Sequence, residues 1–213
     1  MRTKKEVIEC IHRCAVLYGA NLAKKNVLFV TINEGKPTVF ETVFMPHNFM
    51  HLTRVISNLS SDLFYQAAFN NRLSVKNITL SKDGKTEQKL DILPQLMNIH
   101  RAAKMIGDYD NSRPLLIADK FAGTTAMALG FVNINNIFMP STALKLDIRD
   151  ITKKAARHRI AAIFIKPRQE SCYTCLTYIA KGLTIEDVLP IDRVDSQNLT
   201  ASFLIPRKDL QEK

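Results

Sequence analysis

The order of apolar and polar positions at the N-terminus predicts a helix followed by a hairpin. In residues 4–25 the apolar side chains recur at the three- and four-residue spacing of an amphipathic helix. Two β-rich runs follow at residues 26–33 and 36–44, and Glu34-Gly35 between them suits a tight turn. We therefore expect one helix and one β-hairpin in this part of the chain.

The middle of the chain shows two further helical patterns. Residues 61–73 have helical spacing, and residues 90–109 form a longer pattern in which Pro94 lies in the first turn, where proline is tolerated. Residues 107–113 are rich in turn-forming residues. This tract is the predicted joint between an N-terminal and a C-terminal half.

Beyond this joint, short apolar runs typical of strands replace the helical patterns. The clearest are residues 160–165 and 172–180, which a polar link separates as in an antiparallel hairpin. A charged helical insertion is predicted at residues 146–154. The C-terminal half is therefore expected to be mainly a β-meander.

Length and composition fit one α+β domain of residues 1–213, with a subdivision into residues 1–110 and 111–213 as the alternative. Apolar residues make up 46% of the chain and charged residues 23%, so a folded core is expected. No apolar run is long enough to span a bilayer, and charged residues interrupt the N-terminus where a signal peptide would be apolar. We expect a cytoplasmic protein that does not contact membranes.

The formal net charge of +10 favours a polyanionic partner, because phosphate contacts by Lys and Arg release counterions. The sequence contains no Walker loop and no GxGxxG, HExxH or GxSxG motif. The residue types that remain available for chemistry on an anion are cations and hydroxyls. They fit metal-free RNA cleavage, which needs a base for the 2′-OH, an acid for the leaving 5′-oxygen and cations for the phosphate charge.

The four cysteines do not predict a metal site. Cys10 and Cys14 lie in the predicted N-terminal helix, and Cys172 and Cys175 lie in a predicted strand whose alternation puts them on opposite faces. A zinc site would need both pairs, or one pair with histidines, in a closed tetrahedral arrangement. We expect structural thiols in a reducing compartment, with no metal and no cofactor.

His51 is the candidate proton-transfer residue, because it lies where a strand passes into a predicted helix. The alternative is a structural histidine that caps a turn. His47, four residues earlier, would share its helix face, but two histidines without a third ligand are a weak metal signal.

Six phrases between residues 49 and 182 carry a resemblance to a known family, and the similarity extends in order over about residues 5–185. They are FMHLTRV (Phe49–Val55), NNRLS (Asn70–Ser74), LDILPQLMNIHRAAKMIGDY (Leu90–Tyr109), LKLDIRDIT (Leu144–Thr152), AIFIK (Ala162–Lys166) and LTYIAKG (Leu176–Gly182). In this order they resemble a phage-associated family of the barnase–EndoU–colicin–RelE-like (BECR) nuclease superfamily. The order carries the resemblance, since no single phrase is a specific catalytic signature.

The resemblance implies an α+β fold in which N-terminal helices and a hairpin pack on a curved antiparallel C-terminal sheet of about four or five strands. It implies a metal-independent ribonuclease, since the superfamily's named members are such enzymes and mostly toxins. By match of phrases, the implied catalytic residues are His51, Arg149, Lys166 and Tyr178. Arg54 is a departure, because we expect glycine after His-Leu-Thr in the family. A long cation there would either contact phosphate or crowd His51 and indicate lost activity.

The leading hypothesis is a ribonuclease toxin or effector linked to a phage or mobile element, with RNA as substrate and an antitoxin or immunity protein as partner. The alternative is a catalytically silent phage-encoded inhibitor that binds a host defence complex or nucleic acid. A DNA-binding regulator ranks last, because no helix-turn-helix with a basic recognition helix stands out. The candidate nucleic-acid contacts are Arg54, Arg72, Lys145, Lys153, Lys154 and Lys181.

Overall fold

A helix and a β-hairpin open the fold, as the N-terminal pattern predicts. Thr3 begins the helix Lys4–Asn21 (α1) with a capping box. Strands Lys25–Asn33 (β1) and Lys36–Phe44 (β2) pair antiparallel, and the two residues between them have positive φ angles, as in the hairpin turns that fit the strand twist. Both predicted elements are confirmed.

The structure is a computed structural model that describes residues 2–81, 84–111, 116–190 and 192–202. In this part of the chain, no helix is both long enough and apolar enough to cross a bilayer. Two short 3-10 turns, Ile148–Asp150 and Lys154–Ala156, stand where the charged insertion is predicted. The other helices are α2 (Asn48–Thr53), α3 (Ser61–Phe69), α4 (Lys85–Leu96), α5 (Ile99–Ala102) and α6 (Ile185–Val188). The other strands are β3 (Ile56–Ser57), β4 (Ile78–Thr79), β5 (Met105–Asp108), β6 (Lys120–Gly123), β7 (Ala128–Ile134), β8 (Ile137–Leu144), β9 (His158–Pro167), β10 (Cys175–Ile179) and β11 (Thr200–Ala201).

The main sheet closes on itself through β1. One edge of β1 pairs with β2 and the other edge with β9, both antiparallel. The strand order β1-β2-β8-β7-β6-β5-β9 therefore returns to β1, and seven strands form a closed barrel. β5 pairs with His158 and Arg159 at the start of β9, which leaves residues 162–165 on the same edge for β10. β10 is therefore outside the closed barrel, and β11 pairs with it in parallel.

The expected curved antiparallel sheet of four or five strands is therefore wrong. The N-terminal hairpin does not pack on a C-terminal sheet but forms part of it, because β1 is hydrogen-bonded to β9 as well as to β2. The junction of β2 with β8, at Thr42 and Phe138, is parallel. The predicted hairpin of residues 160–165 and 172–180 is confirmed as the antiparallel pair of β9 and β10.

The predicted helix over residues 90–109 is wrong beyond residue 102. The chain forms α4, with Pro94 inside it near its end, then the single turn of α5 and then the strand β5. Ile106 is buried in the strand just as a helix would have buried it, so the apolar spacing fits both outcomes. These residues form a strand because they pair with β6 and β9. The predicted joint at residues 107–113 thus begins inside β5, and residues 112–115 lie outside the described residues.

The two faces of the barrel wall contribute to separate cores. Side chains alternate along β1, so Val27 and Phe29 pack in the large core with α1 to α5. Leu28 and Val30 face the other way and pack in a second core with α6. On the helical side, α2 and α4 pack against β8 and against each other. The junction of these three elements holds the cleft described below.

Barrel closure predicts the hydrogen exchange of β1. Successive amides of an inner strand point to alternate neighbours, so all four amides of residues 27–30 should exchange slowly when both edges are paired. NMR exchange rates measure this directly. A pattern in which every second amide of β1 exchanges as fast as solvent-exposed amides would show an open edge and contradict the barrel.

Candidate functional site

A cleft with two lobes lies between α2, α4 and β8. We call the larger one, of about 440 Å³, the histidine lobe, and the smaller one, of about 310 Å³, the leucine lobe. Both volumes fall at the lower end of the range of small-ligand pockets. Arg54, Lys89 and Thr142 line both lobes and so mark the boundary between them. The histidine lobe is also lined by Met50, His51, Val55, Ile56, Ser81 and Ser141. The leucine lobe is also lined by Lys85, Gln88, Leu116, Ala143, Leu144, Lys145 and Leu146.

The short helix α2 projects His51 and Arg54 outward. Its other face is anchored, because Phe49 and Leu52 are buried in the large core. The Asn48 side-chain oxygen also accepts a hydrogen bond from the Met45 backbone N–H at 2.8 Å, which fixes the entry into the helix. Six residues are too few for a helix to be stable alone, so this core packing holds α2 in place.

Arg54 ends α2 in the left-handed conformation, with φ 59° and ψ 16°. L-residues adopt this region at a cost of about 1–2 kcal/mol, whereas glycine adopts it freely. A glycine after His-Leu-Thr, as expected from the family resemblance, would therefore suit this helix end. In this chain the position instead adds a cation that lines both lobes.

Lys89 lies on α4 at the boundary between the lobes. Its ammonium Nζ donates to Thr142 Oγ1 at 3.2 Å and to the backbone carbonyl of His51 at 3.4 Å, which ties α4 to both β8 and α2. Burial lowers the pKa of Lys89 to about 8, and the Arg54 charge acts in the same direction. At neutral pH Lys89 is therefore still a cation, but one that gives up its proton more readily than an ordinary lysine.

The surroundings of His51 favour the neutral form of its ring. Loss of hydration is the largest cause of a pKa below the ordinary value, and the nearby His47 and Lys89 add to it. The side chain nevertheless still reaches solvent. A neutral, accessible imidazole beside a lysine of lowered pKa supplies both a proton acceptor and a proton donor.

The described residues that line the cleft are rich in cations. Its cationic side chains are Arg54, Lys85, Lys89 and Lys145, and among the described residues that line the two lobes there is no Asp or Glu. Asp91, which pairs with Lys145 at 2.8 Å, also binds Arg2 at 2.7 Å and does not line either lobe. The arrangement is therefore suited to an anion such as a phosphodiester.

The structure brings His51, Arg54 and Lys145 together around this cleft. It also brings in Lys85, Lys89 and Thr142, which the sequence analysis missed. A signal for the two lysines was present, because Lys85 and Lys89 are four residues apart and share a helix face. Nothing local marks Thr142, whose place depends on the packing of β8 against α4.

Three implied catalytic residues lie elsewhere, and none of them is among the described residues that line the cleft. Lys166 is buried at the end of β9, where its Nζ donates to the Glu170 and Ser171 carbonyls at 2.5 and 2.9 Å and closes the connection to β10. Lys104 Nζ stacks on the Tyr178 ring, 3.6 Å from its centroid. Arg149 is exposed and pairs with Asp147 at 2.6 Å. The contacts of Lys166 and Tyr178 favour structural roles, and their assignment to catalysis stays a prediction.

The remaining predicted nucleic-acid contacts are exposed on other parts of the surface. Arg72 follows α3, Lys153 and Lys154 lie around the second 3-10 turn, and Lys181 follows β10. Within the described ranges, no three His, Cys, Asp or Glu side chains gather as a metal site would require. Of the four free cysteines, Cys10 and Cys14 are buried, Cys175 is half-buried in β10, and Cys172 is exposed before that strand begins.

The left-handed conformation of Arg54 gives a test by substitution. Arg54→Gly and Arg54→Ala both remove the cation, but only glycine removes the backbone cost. Urea unfolding should therefore show Arg54→Gly to be more stable than Arg54→Ala by about 1 kcal/mol. Equal stabilities of the two variants would contradict the left-handed conformation.

Comparison with known protein families gives a match over most of the chain. The model of the family described as phage-Barnase-EndoU-ColicinE5/D-RelE like nuclease4 matches residues 10–182. No curated protein and no solved structure matches the chain. The matched residues include α2, α4 and β8, and thus the elements that form the cleft. The chain therefore belongs to this phage-associated family of nucleases related to barnase, EndoU, colicins E5 and D, and RelE.

Proposed function

We propose that this protein is a metal-independent ribonuclease that cleaves RNA in the cleft between α2, α4 and β8. The observation that carries the proposal is the position of Lys89, held between Thr142 and the His51 carbonyl at the boundary of two lobes lined by cations. A phosphodiester at this boundary would meet Lys89, Arg54 and the Thr142 hydroxyl. RNA would be attracted to the site by its backbone charge.

In the proposed reaction the RNA 2′-oxygen attacks the adjacent phosphorus and the bond from phosphorus to the 5′-oxygen breaks. His51 accepts the 2′-OH proton, for which its lowered pKa keeps it neutral. Lys89 donates a proton to the leaving 5′-oxygen, for which its pKa of about 8 suits it. Arg54 and the Thr142 hydroxyl donate to the phosphate oxygens as negative charge develops. The products are a 2′,3′-cyclic phosphate and a 5′-hydroxyl.

Further cations, one in the cleft and three outside it, would lengthen the RNA-binding surface. Lys145 lies in the leucine lobe, and the exposed cations Arg149, Lys153 and Lys154 follow it in sequence. Charge contacts of this kind position a strand without reading its sequence. The proposal extends to a toxin or effector role linked to a phage, with an antitoxin or immunity protein as its partner.

A second function, a catalytically silent inhibitor that binds a host protein or nucleic acid, is favoured by one observation. Arg54 fills a left-handed helix end, where the resemblance leads us to expect glycine, and it places a long side chain beside His51. If this side chain occupies the site of the substrate, Arg54→Gly should restore cleavage. If it binds phosphate, the same substitution should weaken cleavage.

Cleavage is tested with purified protein, single-stranded RNA and EDTA. We expect products that end in a 2′,3′-cyclic phosphate, and a loss of rate of about 100-fold or more in both His51→Ala and Lys89→Met. Lys89→Met should fold at least as well as the wild type, because it removes a desolvated cation. Lys5→Met, on an exposed position of α1, is the matched control and should cleave normally. RNA that stays intact, or cleavage that survives both substitutions, would refute the proposal.

The two lowered pKa values predict a bell-shaped pH profile. Activity should rise with pH as His51 loses its proton, at a pH below its ordinary pKa, and fall as Lys89 loses its proton near pH 8. Lys89→Arg keeps a cation that does not titrate in this range, so the profile of this variant should lack the fall near pH 8. An unchanged alkaline limb in Lys89→Arg would show that another group titrates there.

A further inference from the structure

We infer that the leucine lobe binds the nucleobase on the 3′ side of the cleaved phosphate and that Gln88 reads the edge of this base. The inference rests on the proposed function and extends it to a substrate class, single-stranded RNA with a preferred base after the cleavage position. Three features support the inference. They are the apolar side chains in the lobe, the polar and cationic side chains at its rim, and the direction in which the cleavage chemistry requires the strand to lie.

The floor of the leucine lobe is apolar. Leu116, Leu144 and Leu146 are half-buried at the edge of a small third core, which includes Tyr109 and Phe121. All three line the lobe, so part of their apolar surface is available to the flat face of a base. In a duplex the bases are stacked and paired inside the helix, so an unpaired base fits this lobe.

The rim of the lobe combines base-reading and phosphate-binding groups on one helix. Gln88 and Lys89 are neighbours on α4, and both line the lobe. The amide of Gln88 has donors and an acceptor side by side, which is the pattern that pairs with a base edge. Lys85, one turn earlier, and Lys145, held by Asp91 at 2.8 Å, supply cations for the next phosphate.

The chemistry sets the direction of the strand. The attacking 2′-OH must reach His51, so the nucleoside that carries it lies in the histidine lobe. The nucleoside that leaves with the 5′-oxygen must then lie beyond Lys89, in the leucine lobe. Base preference should therefore occur on the 3′ side of the cleaved bond and depend on Gln88.

The test compares kcat/KM for dinucleotides UpA, UpG, UpC, UpU and a UpN analogue whose 3′ nucleoside lacks its base. We expect the best 3′ base to exceed the worst by about tenfold or more, and the abasic analogue to be cleaved more slowly than the best base. Gln88→Leu should bring the four bases within about threefold of one another while the abasic analogue is cleaved as before. The matched control is Gln95→Leu, at an exposed position further along α4.

Two results separate this inference from the proposed function. The leucine-lobe inference fails if the wild type cleaves RNA with the same kcat/KM for all 3′ bases, or if Gln88→Leu keeps the wild-type base preference. Either result leaves the proposed ribonuclease function intact. If the wild type cleaves nothing, the proposed function fails, and binding of 2′-O-methyl UpA is followed by NMR instead. Base binding in the leucine lobe, without cleavage, is then supported if the methyl signals of Leu144 and Leu146 shift with 2′-O-methyl UpA and not with its abasic analogue, and is refuted otherwise.

Discussion

The pairing of β1 along both of its edges is the constraint on which the rest of the structure depends. Because β1 joins β2 to β9, the N-terminal hairpin becomes part of a closed barrel instead of a layer packed on a sheet. Closure places α2, which follows β2 directly, beside β8 through the parallel contact of Thr42 with Phe138. The cleft exists because this closure brings α2 and α4 together on β8.

The cleft concentrates cations at a cost to stability. Lys89 is half-buried, which lowers its pKa to about 8, and the nearby charge of Arg54 acts in the same direction. A fold selected only for stability would not bury the Lys89 ammonium in this way, since removing a charged group from water is unfavourable. Groups whose pKa is shifted by burial are often found at functional sites.

The sequence alone identified part of this site. Residue type and position at an element junction were enough to single out His51, and the net charge was enough to predict a polyanionic partner. Lys89 and Thr142 were missed because they lie 53 residues apart and contact only when α4 packs on β8. Lys166 was implied by the match of phrases, but in the structure it donates hydrogen bonds to the carbonyls of the turn that follows β9.

Local patterns by themselves determined the N-terminal helix, the first hairpin and the antiparallel pair of β9 and β10, because spacing and turn residues act over a few positions. They did not determine the fate of residues 103–109, where buried Ile106 fits a helix and a strand equally. Only the tertiary structure decided that residues 105–108 form a strand, because they pair with β6 and β9. The closed barrel and the two-lobed cleft depend in the same way on hydrogen bonds and contacts between distant segments, which local spacing does not encode.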